Sequence, residues 1–224
     1  MVYDWDWIGA ERELRRALEL NPSSSLAHQT YGYLSFVLGR SEAAIEHYDH
    51  ASKLDPLSLI VPAQAGFALY MAGRNQEAIE KLRSTARLDS TFYYPRIFLG
   101  LAYVQGGDAA RGAAELESAA RMLPNPVSVS QMAYGLAKAG RTADARRALE
   151  TLVERGRTEF IPEYEVALVH IALGDNERAF MAFERAFQQK GESLILLKVD
   201  PRLEPIRSDP RYRAMLRRIG LASS

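Results

Sequence analysis

Cysteine is absent from all 224 residues, which removes disulfide staples, thiolate zinc sites and a cysteine nucleophile together. A chain without thiols is stable in reducing and oxidising surroundings alike, so this absence leaves the compartment open, with the cytoplasm favoured. There is no surplus of either charge, because Lys plus Arg and Asp plus Glu are both 28. A nucleic-acid binder usually carries a basic surplus to neutralise phosphates, so no nucleic-acid partner is expected. Runs of about 18 apolar residues, long enough to span a bilayer, are missing too, and no membrane segment is expected. The opening stretch Met1-Val2-Tyr3-Asp4-Trp5-Asp6-Trp7 is acidic and aromatic, without the positive and apolar regions of a signal peptide. No nucleophile elbow, phosphate loop or zinc-protease motif is present, so neither a cofactor nor an enzymatic activity is expected.

What the chain does have is a period. Gly39, Gly73, Gly107, Gly140 and Gly174 stand 34, 34, 33 and 34 residues apart. Ala10, Ala44, Ala78, Gly112, Ala145 and Ala179 follow the same spacing, as do Gly32, Gly66, Gly100, Ala133 and Ala167. Pro22, Pro56 and Pro124 keep the phase as well, with Ser90 where a further proline would fall. Agreement of four registers over more than five periods marks a tandem repeat.

One period reads as a helix hairpin. Tyr31, Gly32, Leu34, Ser35 and Leu38 fall on one helical face. Gly39 supplies the left-handed residue that ends that helix. Ser41 is placed to cap a second helix bearing Ala44, Ile45, Tyr48 and Ala51 on one side. Pro56 then blocks further helix. Asn75, Asp108, Thr142 and Asp175 or Asn176 are the capping candidates of the later units. The expected hairpins are 25–56, 59–90, 93–124, 126–157 and 160–191, after a leading half-repeat 3–22 and before a cap at 192–224.

This pattern resembles the tetratricopeptide repeat. The Leu-Gly-x-x-Tyr of its first helix reads Leu99-Gly100-Leu101-Ala102-Tyr103. The second-helix pattern reads Ala44, Tyr48, Ala51 and again Ala179, Phe183, Ala186. The usual first-helix Trp is replaced by His28, Pro62, Arg96, Val129 and Glu163, and Thr85 and Leu152 stand where Ala is usual. The resemblance implies an all-α, right-handed superhelix of antiparallel hairpins that serves as a non-enzymatic protein–protein interaction scaffold. A narrower resemblance lies in the segment Leu197 to Arg211, in Tyr3-Asp4-Trp5-Asp6-Trp7 and in Ala167-Leu168-Val169-His170. These look like the repeat regions at the C-termini of bacterial multidomain signalling proteins, after winged-helix regulators, nucleotide cyclases or serine/threonine kinases. That likeness implies a regulatory part of a larger protein.

The ends carry expectations of their own. Trp5 to Pro22 reads as a second helix without its first, which would leave an open apolar edge at Trp5, Trp7 and Leu14. Such an edge suits a fragment of a longer chain, self-association into a homodimer, or a fold-back of Tyr3–Trp7 as its own cap. At the other end Leu194-Ile195-Leu196-Leu197 is a short apolar turn or helix. Asp200-Pro201 and Asp209-Pro210 each pair an N-cap with a proline at the first helical position. Pro210 to Ile219 then forms a capping helix over the final hairpin. Arg202, Arg207, Arg211, Arg213, Arg217 and Arg218 are expected on a solvated face.

His47 and His50 lie three apart beside Glu46 and Asp49, a spacing a metal could use, but no third ligand is in sight and a solvated face is expected. His170 sits in an apolar helix and reads as a packed residue. In this repeat class the first helices line the concave side. Groove positions are then Gln29, Tyr33, Phe36; Ala63, Phe67, Tyr70; Ile97, Leu101, Val104; Ser130, Tyr134, Ala137; and Tyr164, Leu168, Ile171. None is Lys, Arg or Asn, so the clamp with which some family members hold a peptide carboxylate is not carried over. The expected ligand is an apolar peptide or amphipathic helix held by Tyr33, Phe36, Phe67, Tyr70, Ile97, Leu101, Tyr134 and Tyr164.

Overall fold

A computed structural model describes residues 5–89 and 91–222. Among these are α1 (Trp7–Leu20) and five helix pairs: α2 (Ser25–Val37) with α3 (Ser41–Leu54), α4 (Ile60–Met71) with α5 (Asn75–Leu88), α6 (Tyr94–Gln105) with α7 (Ala109–Met122), α8 (Pro126–Lys138) with α9 (Thr142–Arg155), and α10 (Glu163–Ala172) with α11 (Asn176–Gln188). Two 3-10 segments follow, Glu192–Leu196 and Pro201–Ile206, and α12 (Pro210–Arg218) ends the chain. The described residues hold no strand. The architecture is an all-α solenoid. Met1 to Asp4 and Ser90 lie outside the described residues, and with them Tyr3, the start of the proposed N-terminal cap and the phase-keeping Ser90.

Each hairpin turns in the same way. Gly39, Gly73, Gly107, Gly140 and Gly174 have φ of 79°, 76°, 95°, 79° and 77°, a conformation that costs glycine nothing and other residues steric energy. The next residue's N–H reaches back to the first helix: Arg40 to Ser35, Arg74 to Leu69, Asp108 to Tyr103, Arg141 to Leu136 and Asp175 to His170, all at 2.8–2.9 Å. This six-to-one bond satisfies a carbonyl that the helix end leaves orphaned. Asp108 and Asp175 cap the following helices, accepting from the N–H groups of Arg111 and Arg178. Ser41, Asn75 and Thr142 are not caps. Each is the first helical residue, preceded by Arg40, Arg74 or Arg141 at the cap position with no side-chain bond. The short return enforced by the six-to-one bond starts the helix one residue earlier than the side chains suggest.

The small-residue registers mark where the two helices of a pair touch. Ala44, Ala78, Ala145 and Ala179 are fully buried. Gly112 occupies this register in the α6–α7 pair, and a Cβ there would lie 2.6 Å from the Gly100 carbonyl oxygen. Backbone meets backbone at that point. The α9–α10 junction is the loosest, because Pro162 takes an extended conformation at the cap of α10 and delays that helix to ten residues. The gap left between α9 and α11 is a cavity of about 1250 Å³ lined in part by Leu152, Phe160, Val166 and His170.

The array's two ends meet, and this overturns the expectation of an open N-terminal edge. The Trp7 Nε1–H donates to the Ile219 carbonyl at 2.9 Å, and Trp7 is buried. Trp5 stands edge-on to Phe187, ring centroids 6.3 Å apart. Leu14 is half-buried against the core. A superhelical path carries α11 and the end of α12 round to α1, so the chain covers its own first helix. The C-terminal segment is thus more than a cap on the last hairpin. Within α1, Glu11 Oε1 accepts from Arg15 at 2.7 Å, Arg40 at 2.8 Å and the Tyr31 hydroxyl at 3.2 Å, binding α1 to α2 and its exit turn.

Two outcomes follow from this packing. Gly112→Ala should lose about 1–3 kcal/mol, because the new methyl meets backbone that cannot yield; urea unfolding followed by circular dichroism measures it, and an unchanged midpoint would remove the close-approach role. The Arg40 and Arg15 hydrogen bonds lower the Glu11 carboxyl from 4.5 to about 2. A carboxyl lowered in the fold stabilises above its unfolded value and loses that contribution as pH falls through the folded one. Glu11→Gln should therefore melt below the parent at pH 6–7, with the difference shrinking between pH 4.5 and 2.

Candidate functional site

First helices α2, α4, α6, α8 and α10 line the concave face, and their groove-facing aromatics form a ladder. Tyr33 and Phe36 lie 6.1 Å apart, Phe36 and Phe67 5.5 Å, and Phe67 stacks on Phe98 at 4.3 Å. Tyr94 meets Phe98 edge-on at 5.2 Å. Spacings of 4.5–7 Å suit aromatic pairs, whose ring edges and faces attract. The ladder therefore crosses three successive first helices.

Residues 192–206 run through the rest of the groove. Leu194, Leu197, Leu203 and Ile206 are almost completely buried. The chain passes α10 and α8 and brings Lys198 and Val199 beside Gly39 at the end of α2. Its polar anchor is Arg202. Arg202 Nε donates to Asp200 at 2.9 Å and Nη2 at 2.7 Å, while Nη1 donates to the Gln131 side-chain oxygen at 2.7 Å. Gln131 Nε2 donates to Glu165 Oε2 at 2.6 Å, and the Tyr164 hydroxyl donates to Asp200 at 3.0 Å. The guanidinium also lies 5.5 Å from the Tyr134 ring centre. Arg202 is 4% exposed and Asp200 fully buried, so the solvated-face expectation fails for this arginine. Arg211 and Arg218 do reach the surface, over Phe180 and Phe187.

Burial sets the electrostatics. It pushes the Glu165 carboxyl up, although Arg202 opposes the shift. Burial alone would lower Arg202, but Asp200, Tyr70 and Glu165 hold it charged. The Tyr33 hydroxyl is pushed up to about 12 by burial. Tyr70 and Tyr164 are raised well above the usual range by burial too. Buried ions this tightly paired must be satisfied or the fold is penalised.

Of the eight expected groove residues, Tyr33, Phe67, Ile97 and Leu101 line one cavity, and the eight differ in accessibility. Phe36, Tyr70, Ile97, Leu101, Tyr134 and Tyr164 are buried, whereas Tyr33 and Phe67 are half-exposed. For Tyr134 and Tyr164 the physical reason is the chain's own C-terminal segment, whose Arg202 and Asp200 they face. A register missed in the sequence lies two residues before the small residue of each first helix: Thr30, Gln64, Phe98, Gln131 and Glu165. Phe98, Gln131 and Glu165 line the groove, so its surface is aromatic at one end and polar at the other. Helical geometry could have found it, since this register sits beside those chosen. A cavity of about 390 Å³ remains where the ladder meets the C-terminal segment.

Of the histidines, His50 is exposed and His170 packed, as expected, while His47 is half-buried. His28 joins His47, Nδ1 to Nδ1 at 3.0 Å, and its ring lies 5.1 Å from that of His50. Burial, followed by His28, lowers His47 from its ordinary value. Among the described residues no group of three or more His, Asp or Glu has an arrangement that could hold a metal ion. His170 is buried and lowered by burial.

Arg202→Met keeps side-chain length but leaves Asp200 and Glu165 without their counter-charge. Removing one partner of a buried pair costs about 3–5 kcal/mol, which equilibrium urea unfolding at pH 7 would register. A loss below about 1 kcal/mol would mean that the network does not hold the segment.

The family model of the tetratricopeptide repeat matches residues 6–58 and 130–193, together just over half of the chain. No curated protein matches. Among solved structures the fold is similar to that of Pseudomonas aeruginosa pilF, 22% identical, covering 95% of this chain and 90% of that one at a TM-score of 0.58. It is similar to TTC0263, a thermophilic repeat protein of Thermus thermophilus, 17% identical over 88% of this chain and 100% of that one, TM-score 0.61. A third likeness is to PilW, a type IV pilus biogenesis factor, 19% identical over 90% of each chain at 0.62. Repeat number, turn geometry, core registers and these matches agree: the chain belongs to the tetratricopeptide repeat family.

Proposed function

We propose that this chain is a non-enzymatic interaction module that receives a short apolar segment of a partner protein on the aromatic ladder, beside its own C-terminal segment. The observation that carries this reading is the partly exposed stack of Phe67 and Phe98, continued edge-on by Tyr94. Large flat side chains left uncovered on a concave face lose water on binding and little rotamer entropy. Tyr33, Phe67 and Tyr94 are the available members of the ladder together with Phe98. Phe36 and Tyr70 pack against Phe67, with ring centroids 5.5 and 6.0 Å away. Interaction through protein surfaces is the general role of this repeat family; the narrower site is our reading.

The alternative of self-association through Trp5, Trp7 and Leu14 has less support, because Trp7 is already hydrogen-bonded to Ile219 and buried.

Selection of binders from a library of short apolar peptides, followed by calorimetry, tests the groove. Phe67→Ala with Phe98→Ala should weaken the selected peptides at least tenfold, since burying one aromatic side chain contributes about 1.5–3 kcal/mol. Helicity should be retained. Equal affinity in the double variant would place the binding surface elsewhere.

A further inference from the structure

The groove cavity combines two features that together select for positive charge. Its aromatic side is formed by Phe67, Phe98, Tyr93 and Tyr94, and its polar side includes Glu165. Its volume of about 390 Å³ lies in the range of small-ligand sites. Glu165 is 6% exposed. Gln131 donates to its Oε2 at 2.6 Å, and Arg202 Nη1 approaches the same oxygen at 3.5 Å. Among the described residues Oε1 accepts no hydrogen bond. Among those same residues Arg202 is the one cation on the cavity wall, and it is engaged by Asp200 at 2.7–3.1 Å and by Gln131. One guanidinium thus faces two buried carboxylates, and Asp200 holds it. Charge complementarity and an Oε1 that accepts no hydrogen bond among the described residues both ask for a further cationic donor.

We propose that this cavity binds one basic side chain, the guanidinium or ammonium of an arginine or lysine carried by the partner segment, between the aromatic ring faces and Glu165. This rests on the groove reading above and deepens it. Ring faces attract a cation through their quadrupole, and the carboxylate gives it a charge-assisted hydrogen bond. Burial disfavours the ionised form of Glu165, and an arriving cation offsets that penalty. The partner is then an apolar segment interrupted by one basic residue, the opposite in charge to a peptide held by its terminal carboxylate.

The test is calorimetry on the full chain with the blocked peptide Ac-Leu-Phe-Arg-Leu-Phe-NH2, its citrulline counterpart and arginine amide alone. The arginine peptide should bind at least tenfold more tightly than the citrulline peptide, and arginine amide should bind far more weakly than either. Glu165→Gln should reduce that preference to about one. Phe98→Ala should weaken both peptides, and thermal melting should show each variant folded. Preference for arginine unchanged in Glu165→Gln overturns the assignment. So does equal binding of the two peptides; if Phe98→Ala still weakens both, the groove reading stands without the cation site. Binding of neither peptide overturns both. Arginine amide binding as tightly as the peptide also overturns it, because the ligand would then be a free organic cation and not a side chain.

Discussion

A guanidinium withdrawn from water needs its hydrogen bonds and its counter-charge at fixed positions, and Arg202 finds them on three elements. Asp200 comes from the C-terminal segment itself, Gln131 from α8, and the Tyr164 hydroxyl that orients Asp200 from α10. Leucines alone could hold residues 192–206 against the groove in several registers, because apolar burial is not directional. The ion network permits one. Once the register is set, the apolar side chains Leu194, Leu197, Leu203 and Ile206 fall into place. The segment then delivers α12 to the edge of α1, where Trp7 closes the chain on itself. The closed form of this solenoid depends on a polar contact buried in its middle.

The local rules of the fold were legible in the sequence. Gly39 and its four counterparts announce a left-handed residue and a reversal, and the small-residue registers announce where helices touch. Both signals are local, set within one hairpin. Capping was read less well at Ser41, Asn75 and Thr142 because the six-to-one bond of the turn, and not the side chain, decides where the next helix starts. The groove was half legible. Its position follows from the repeat, but the register of Phe98, Gln131 and Glu165 was passed over in favour of the more evidently apolar ones beside it.

What sequence could not display was the path of the last thirty residues. The pairings of Arg202 with Gln131 and of Trp7 with Ile219 bridge 71 and 212 positions, and no periodicity connects them. Arg202 is one of six arginines in that stretch, and nothing in its neighbours distinguishes it from Arg211, which reaches the surface. Only the accumulated turn of the superhelix brings α8 and α10 to it. Long-range closure of this kind is a property of the summed rotations between repeats, each too small to read from one unit.

The ion network and the exposed rings therefore occupy different stretches of the groove. Tyr134 and Tyr164 enclose the ion network, and Tyr70 is buried with no hydrogen-bond partner for its hydroxyl among the described residues. Substitutions there act on the seating of the C-terminal segment before they act on any ligand. Tyr33, Phe67, Tyr94 and Phe98 retain exposed ring surface, and their truncation removes contact area from the groove face. Glu165 stands at the boundary, tied through Gln131 to Arg202 yet lining the cavity. A ligand that paired with Glu165 would act on the same network that seats the segment. Any differential affinity for the seated arrangement would stabilise it by that amount, so the proposed occupancy of the cavity and closure of the solenoid would be thermodynamically linked.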